Sequence, residues 1–135
     1  MMDEVIQLTS AALNQGRDVQ CLIEDQIIPT LNPARRTFAM HLSRQIRHGD
    51  IFDEQFLHDL ESFVCTISQM VDDETFVGWE ADEHHVNGGF DFIYMSSKAK
   101  ALAPIMDRLQ SFRIAVAQVL DAVRAINVAS KLVST

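Results

Sequence analysis

The chain has 135 residues, of which 47% are hydrophobic and 22% are charged, and its formal net charge is −8. These values are typical of one globular domain with a real core. No apolar run approaches the length of a membrane span, and the acidic start of the chain does not resemble a secretory signal. The sequence therefore predicts one cytoplasmic domain, residues 1–135, that has no membrane partner.

The charge is distributed unevenly along the chain. Residues 1–47 carry five acids and five bases, residues 48–97 carry twelve acids and no Lys or Arg, and residues 98–135 carry two acids and six bases. All of the net negative charge therefore lies in the middle segment. Such a segment is expected to attract a basic protein partner and to repel nucleic acid. The alternative is that its acids pair internally with the basic segments on either side.

Apolar residues at three- and four-residue intervals predict four helices in the first half of the chain. They are expected at about residues 3–15, 18–28, 33–48 and 53–71. Gly16 is expected to end the first helix and Pro29 the second. Asn32 is a favourable N-terminal cap for the third helix, and Asp50 or Asp53 for the fourth.

Residues 75–95 have a different character, because aromatic and β-branched residues, which favour strands, are frequent there. The turn sequence Asn87-Gly88-Gly89 lies between two such runs. We therefore expect one antiparallel β-hairpin at about residues 75–95. A lone hairpin is marginally stable in water, so one face is expected to pack on the helices or to pair with another strand.

The last helix is predicted over residues 97–133, with a break or kink near Pro104. Its apolar residues alternate in spacing between four and three, which is typical of a packing seam. The seam consists of Ile105, Leu109, Phe112, Val116, Val119, Val123 and Ile126. Alanine-rich flanks widen the apolar surface, so we expect the other helices or a second subunit to cover it.

These elements predict an α+β fold that is mainly α. It is a helical bundle around a long C-terminal helix, with one β-hairpin at about residues 75–95. The surplus of apolar surface on the last helix, together with a strand pair that needs cover, also favours a homodimer.

The densest group of polar side chains lies in Glu80–His85, which contains three carboxylates and two imidazoles. Such groups serve both acid–base catalysis and metal binding. Strand alternation leaves too few ligands on either face of this segment, so a metal site would also need Asp91, His58 or a second chain. The ligands of that hypothesis are Glu83, His84, His85 and Asp91. The spacing matches neither HExxH nor a phosphate-binding loop, and a solvated hairpin tip that contacts a partner is preferred.

The third predicted helix contains four arginines and no acid, namely Arg35, Arg36, Arg44 and Arg47. A nucleic-acid contact is one interpretation. Ion pairing with the acidic segment that follows is preferred, because the overall charge does not suit nucleic acid. Cys21 and Cys65 are too far apart in sequence for a local metal clip, and we expect buried, reduced thiols. A disulfide between them is left open.

No motif in the sequence names a reaction, because the nucleophile-elbow, P-loop and Rossmann patterns are missing. The leading hypothesis is a non-catalytic protein–protein interaction module without a cofactor, such as a bacterial-type adaptor, secretion chaperone, immunity protein or inhibitor. The expected partner contacts are Phe76, Trp79, Glu80, Asp82 and Glu83. The alternative is a small metal-binding protein or metal-dependent hydrolase that uses the Glu80–His85 cluster, so enzymatic activity is left open.

Overall fold

The computed structural model describes the backbone of residues 2–81 and 89–134 and the side chains of residues 2–75 and 94–131. These residues form four α-helices and two β-strands. The helices are α1 (Met2–Leu22), α2 (Pro33–His48), α3 (Glu54–Asp73) and α4 (Ser97–Ser134), and the strands are β1 (Thr75–Ala81) and β2 (Gly89–Met95). Most described residues are helical, which confirms the predicted mainly-α bundle. None of the described helices is long and apolar enough to cross a membrane.

The core lies where α1 and α3 pack against the first two thirds of α4. Five residues of the predicted seam are buried, namely Ile105, Leu109, Phe112, Val116 and Val119. Phe112 meets Phe56 of α3 edge to face, with ring centroids 6.2 Å apart. Phe38 and Phe63, at the same centroid distance, join α2 to α3. The C-terminal helix is therefore the centre of the bundle, as its pattern predicted.

The expected end of the first helix at Gly16 is wrong, because α1 continues from Met2 to Leu22. Gly16 is buried, and a Cβ atom there would lie 3.2 Å from both Ile46 Cγ2 and Phe112 Cε1. Glycine at this position lets three helices approach closely, rather than ending one of them. The chain then passes through a π-helical turn, Ile23–Ile27, and a 3₁₀ turn, Ile28–Thr30. The predicted second helix is thus the end of α1 and these two turns.

The last helix does not break at Pro104, because α4 continues without interruption from Ser97 to Ser134. Proline removes the hydrogen bond that its position would give to the carbonyl of Lys100. Ala99, Leu102 and Ile105, on either side of it, are buried in the core. Their packing holds the turns before and after the proline in one helix.

Several helix ends follow the predicted capping chemistry. The side chain of Asn32 accepts a hydrogen bond from the Arg35 backbone N–H at 2.9 Å. Asp53, rather than Asp50, caps α3 by accepting from the Phe56 backbone N–H at 2.7 Å. Gly49 ends α2 in the left-handed region, with φ of 75°.

The two strands pair antiparallel in the register Thr75 with Met95 to Ala81 with Gly89. They follow directly on α3 and lead directly into α4. The Ser96 backbone N–H donates to the Glu74 carbonyl at 3.0 Å, while its hydroxyl accepts from the Ala99 backbone N–H at 3.2 Å. The strand pair is therefore attached at the end of the bundle where α3 finishes and α4 begins.

The prediction of buried thiols is wrong, because Cys21 and Cys65 are both exposed free cysteines. Each lies beside a buried stripe rather than within it. Val19 and Ile23 are the buried residues around Cys21, and Phe63 and Ile67 those around Cys65. An apolar neighbourhood in sequence thus did not place either thiol on the inner face of its helix.

Candidate interaction surfaces

The predicted site residues fall on the strand pair and on the segment between the strands. Phe76, Trp79 and Glu80 lie in β1, and Asp91 lies in β2 directly opposite Trp79. Their side chains lie outside the described part of the structure. The remaining predicted site residues, Asp82, Glu83, His84 and His85, are outside the described residues altogether. The partner-contact and metal hypotheses for this segment therefore both stay predictions.

Within residues 2–75 and 94–131, no three His, Cys, Asp or Glu side chains are grouped closely enough to hold a metal ion. His58, which the metal hypothesis considered as a helper, is exposed on α3. The described side chains therefore offer no metal site of their own.

The acidic segment behaves differently at the two ends of α3. Near the start of the helix, Glu54 forms an ion pair with Arg124 of α4, and Glu61 lies 3.6 Å from Arg113. At the other end, Asp72-Asp73-Glu74 is exposed and has no ion pair among the described residues. Those three acids also oppose the negative end of the helix dipole. Internal pairing thus accounts for Glu54 and Glu61 but not for the three acids at the end of α3.

The antiparallel pairing of α1 with α4 places the start of α1 beside the end of α4. Gly16 contacts Phe112, whereas Ala12 and Leu8, further towards the start of α1, cluster with Val119. Seven large apolar side chains are exposed among the residues whose side chains the structure describes, and four of them lie at this end. They are Met2, Ile6, Val123 and Val128, and we call them the apolar end.

The charged side chains around the apolar end are mixed. Asp3 and Glu4 occupy the first turn of α1. Arg124 is held between Glu54 of α3 and Asp121, which lies 3.6 Å away on its own helix. Several exposed apolar side chains at one end of a bundle, with charged residues beside them, favour a protein–protein contact.

The sequence predicts that the arginines of α2 pair with the acidic segment. Among the residues whose side chains the structure describes, they do not. Arg47 instead lies 2.8 Å from the carboxylate of Glu24, in the π-helical turn. The same carboxylate oxygen accepts a hydrogen bond of 2.6 Å from the buried hydroxyl of Ser43. These contacts fasten the π-helical turn that follows α1 to α2.

The surroundings of Glu24 favour its ionised form. The hydrogen bond from Ser43 is the main cause, with smaller contributions from the hydrogen bond that the Gln20 side chain donates and from the charge of Arg47. Together they lower the pKa of Glu24 below its ordinary value of 4.5, although desolvation acts in the opposite direction. This cluster joins two helices and needs no ligand to explain it.

A surface groove of about 400 Å³ runs between α1 and α4. Its lining residues are Gln15, Asp18, Val19, Asp107, Arg108 and Ser111. They include both acids and a base but no His or Cys, so the groove lacks the Ser–His or Cys–His pair that nucleophilic catalysis uses. The groove does not resemble a catalytic site for that chemistry.

No protein-family model, curated protein or solved structure matches this chain. Its function therefore has to be inferred from its own surfaces.

Sequence reasoning missed Met2 and Ile6 as surface residues, and it did not single out Met40, which lies between Arg36 and Arg44 on α2. The four-residue spacing of these three α2 residues is visible in the sequence and predicts one helix face. For Ile6 the pattern was ambiguous, because it lies next to the buried stripe of α1. Only the positions of the other helices show that it is left uncovered.

Proposed function

We propose that the protein is a non-catalytic protein–protein interaction module. The observation that carries the proposal is the apolar end, where Val123 is 39% exposed, Val128 58% and Ile6 61%. Single exposed apolar residues are ordinary, but four at one end of a bundle favour a contact with another protein.

The length of α4 supports the same proposal. Arg124 pairs with the first residue of α3, so the ten residues from there to Ser134 extend about 15 Å past that helix. A helical segment without tertiary packing is only marginally stable in water. A partner that packs on this segment would supply the packing that α3 no longer gives.

The first partner that we propose is a second copy of the chain, which would make the protein a homodimer. The seam of α4 continues through Val123 and Ile126, so two such helix ends can cover each other's apolar faces. A two-fold interface of this kind is self-complementary and closed.

The second partner that we propose is a different protein, and it would place this module among small cytoplasmic adaptors, chaperones, immunity proteins or inhibitors. The acidic stretch of the sequence that begins at Asp72-Asp73-Glu74 would suit a basic partner. The proposed contacts there remain Phe76, Trp79, Glu80, Asp82 and Glu83.

The test compares three single variants of α4, each of which adds one negative charge to an exposed apolar position. Val123→Glu and Val128→Glu lie at the apolar end, and Ile114→Glu, on the same helix, is the matched control. Light scattering over a range of protein concentrations, and affinity capture from the native host, should show loss of the partner for the first two variants only. If Val123→Glu and Val128→Glu retain every partner that Ile114→Glu retains, the apolar end is not the contact surface.

The alternative function, a metal-binding protein or metal-dependent hydrolase, depends on the Glu80–His85 cluster. No contact among the described residues favours it. Metal analysis of the purified protein, beside His84→Ala and His85→Ala, tests it directly. Stoichiometric metal that both variants lose would establish the site, and protein purified without metal that also takes up none on addition would exclude it.

A further inference from the structure

Arginine side chains line the outer face of α2. Residues three and four positions apart share one side of a helix, and a stripe of four such residues is exposed along α2. We call this stripe the α2 ridge, and it consists of Arg36, Met40, Arg44 and Arg47. The core side of α2 is formed by Ala39, Leu42, Ser43 and Ile46.

The charge of the ridge is largely unneutralised. α2 contains no acid, and Arg36 and Arg44 have no ion pair within the range whose side chains are described. Arg47 pairs with Glu24, yet its side chain remains 60% exposed. Arg35 and Arg36 also lie near the start of α2, where the helix dipole disfavours cations. The stability of the helix therefore does not account for this arrangement of charge.

We propose that the α2 ridge docks an acidic helix of a partner protein. Arg36 and Arg44 would pair with carboxylates of that helix, and Met40 between them would contact one of its apolar side chains. Met40 is 52% exposed, and methionine adapts its shape readily to different partners. The ridge spans about 16 Å from Arg36 to Arg47, which equals about three turns of a docked helix.

Charge and length favour an acidic helix over nucleic acid. A duplex longer than the ridge would meet the rest of a surface whose net charge is −8. A helix of three turns stays within the local field of the arginines, because charges beyond about 8 Å are screened at physiological salt. The ridge shares no residue with the apolar end, so this inference goes beyond the proposed function and holds for a monomer as well as a dimer.

The test uses a synthetic fluorescent helical peptide that carries Glu at four-residue intervals around one central Leu. Fluorescence anisotropy should show that it binds the wild-type protein, and that Arg36→Glu/Arg44→Glu raises its Kd at least about tenfold. Arg17→Glu/Arg108→Glu changes the net charge equally at two exposed positions and should leave the Kd within about twofold. Raising the salt from about 50 mM to about 200 mM should weaken binding to the wild type.

A further variant separates the contribution of Met40 to binding from that of the arginines. Met40→Ala should weaken binding of the Leu peptide but not of a peptide with Ser in its place. Circular dichroism checks each fold, and Arg36→Gln/Arg44→Gln replaces the charge reversal if that variant unfolds. The proposal is overturned if the wild type does not bind the acidic peptide, if both arginine pairs have equal effects, or if duplex DNA binds the ridge as tightly as the peptide does.

Discussion

The two halves of α4 carry the same kind of apolar pattern but have different surroundings. Between Ser97 and Leu120 the seam is buried by α1 and α3. Beyond Leu120, Val123 and Val128 are exposed and Ile126 is half-buried. The sequence of a helix thus determines which of its faces is apolar, whereas the lengths and directions of its neighbours determine how far that face is covered.

This difference predicts that the two halves have different roles. Removing apolar groups from the covered half should lower the stability of the isolated protein, because it leaves cavities in a packed core. Removing them from the uncovered half should change association and leave the stability of the isolated chain nearly constant. Equal losses of stability in both halves would show that the two halves do not have different roles.

The largest effect is expected for Phe112→Ala in the covered half. Phe112 is fully buried between Gly16 and Phe56, so its removal leaves a cavity that the surrounding helices fill only in part. The free energy of unfolding should fall by about 3–5 kcal/mol, as measured by chemical denaturation. A loss below about 1 kcal/mol would mean that this part of α4 is not packed as described.

A smaller loss of stability is expected when a larger side chain is placed where α1 contacts the covered half of α4. Gly16→Val adds a branched side chain where even a Cβ would lie 3.2 Å from Phe112 and Ile46. The free energy of unfolding should fall by about 1–3 kcal/mol. Ala11→Val, at an exposed position of the same helix, is the control and should cost only about 0.6 kcal/mol through helix propensity. Equal losses for both variants would contradict the close approach of these helices.

The hydrogen bond between Ser43 of α2 and Glu24, in the turn after α1, contributes to stability in a way that depends on pH. Glu24 has a lowered pKa in the folded protein, so its contribution to stability is complete above pH 4.5 and is lost as the pH falls through the folded-state pKa. Ser43→Ala removes the main cause of the lowered Glu24 pKa, and it should reduce the free energy of unfolding by about 1 kcal/mol near neutral pH. The cost should shrink in acid, which denaturant titrations at several pH values can measure.

Thr37→Ala is a suitable control for that measurement, because the Thr37 hydroxyl donates only to the Pro33 carbonyl in its own helix. Its effect should not depend on pH between about 3 and 7. A Ser43→Ala cost that stayed constant over the same range would show that Glu24 does not act as described.

Features that depend on neighbouring residues could be predicted from the sequence, whereas features that depend on distant residues could not. The first five residues of the α4 seam and the caps at Asn32 and Asp53 depend on neighbouring residues, and the structure confirms these predictions. The role of Gly16 depends on Phe112, which is distant in sequence, so a local pattern suggested a helix end instead. The site was harder still, because composition pointed to Glu80–His85, while the exposed apolar end depends on where α1 and α3 stop covering α4.

The smallest effect on stability is expected in the uncovered half. Val128→Ala should change the free energy of unfolding by no more than about 0.6 kcal/mol in dilute solution, because no described helix packs on this side chain closely enough to bury it and alanine is favoured over valine in a helix by about that amount. A homodimer gains stability with concentration by mass action, so the Tm of the wild type should rise as the protein is concentrated. Val128→Glu should weaken that rise, whereas Ile114→Glu should preserve it. If the Tm of the wild type is independent of concentration, the end of α4 does not pair with a second copy.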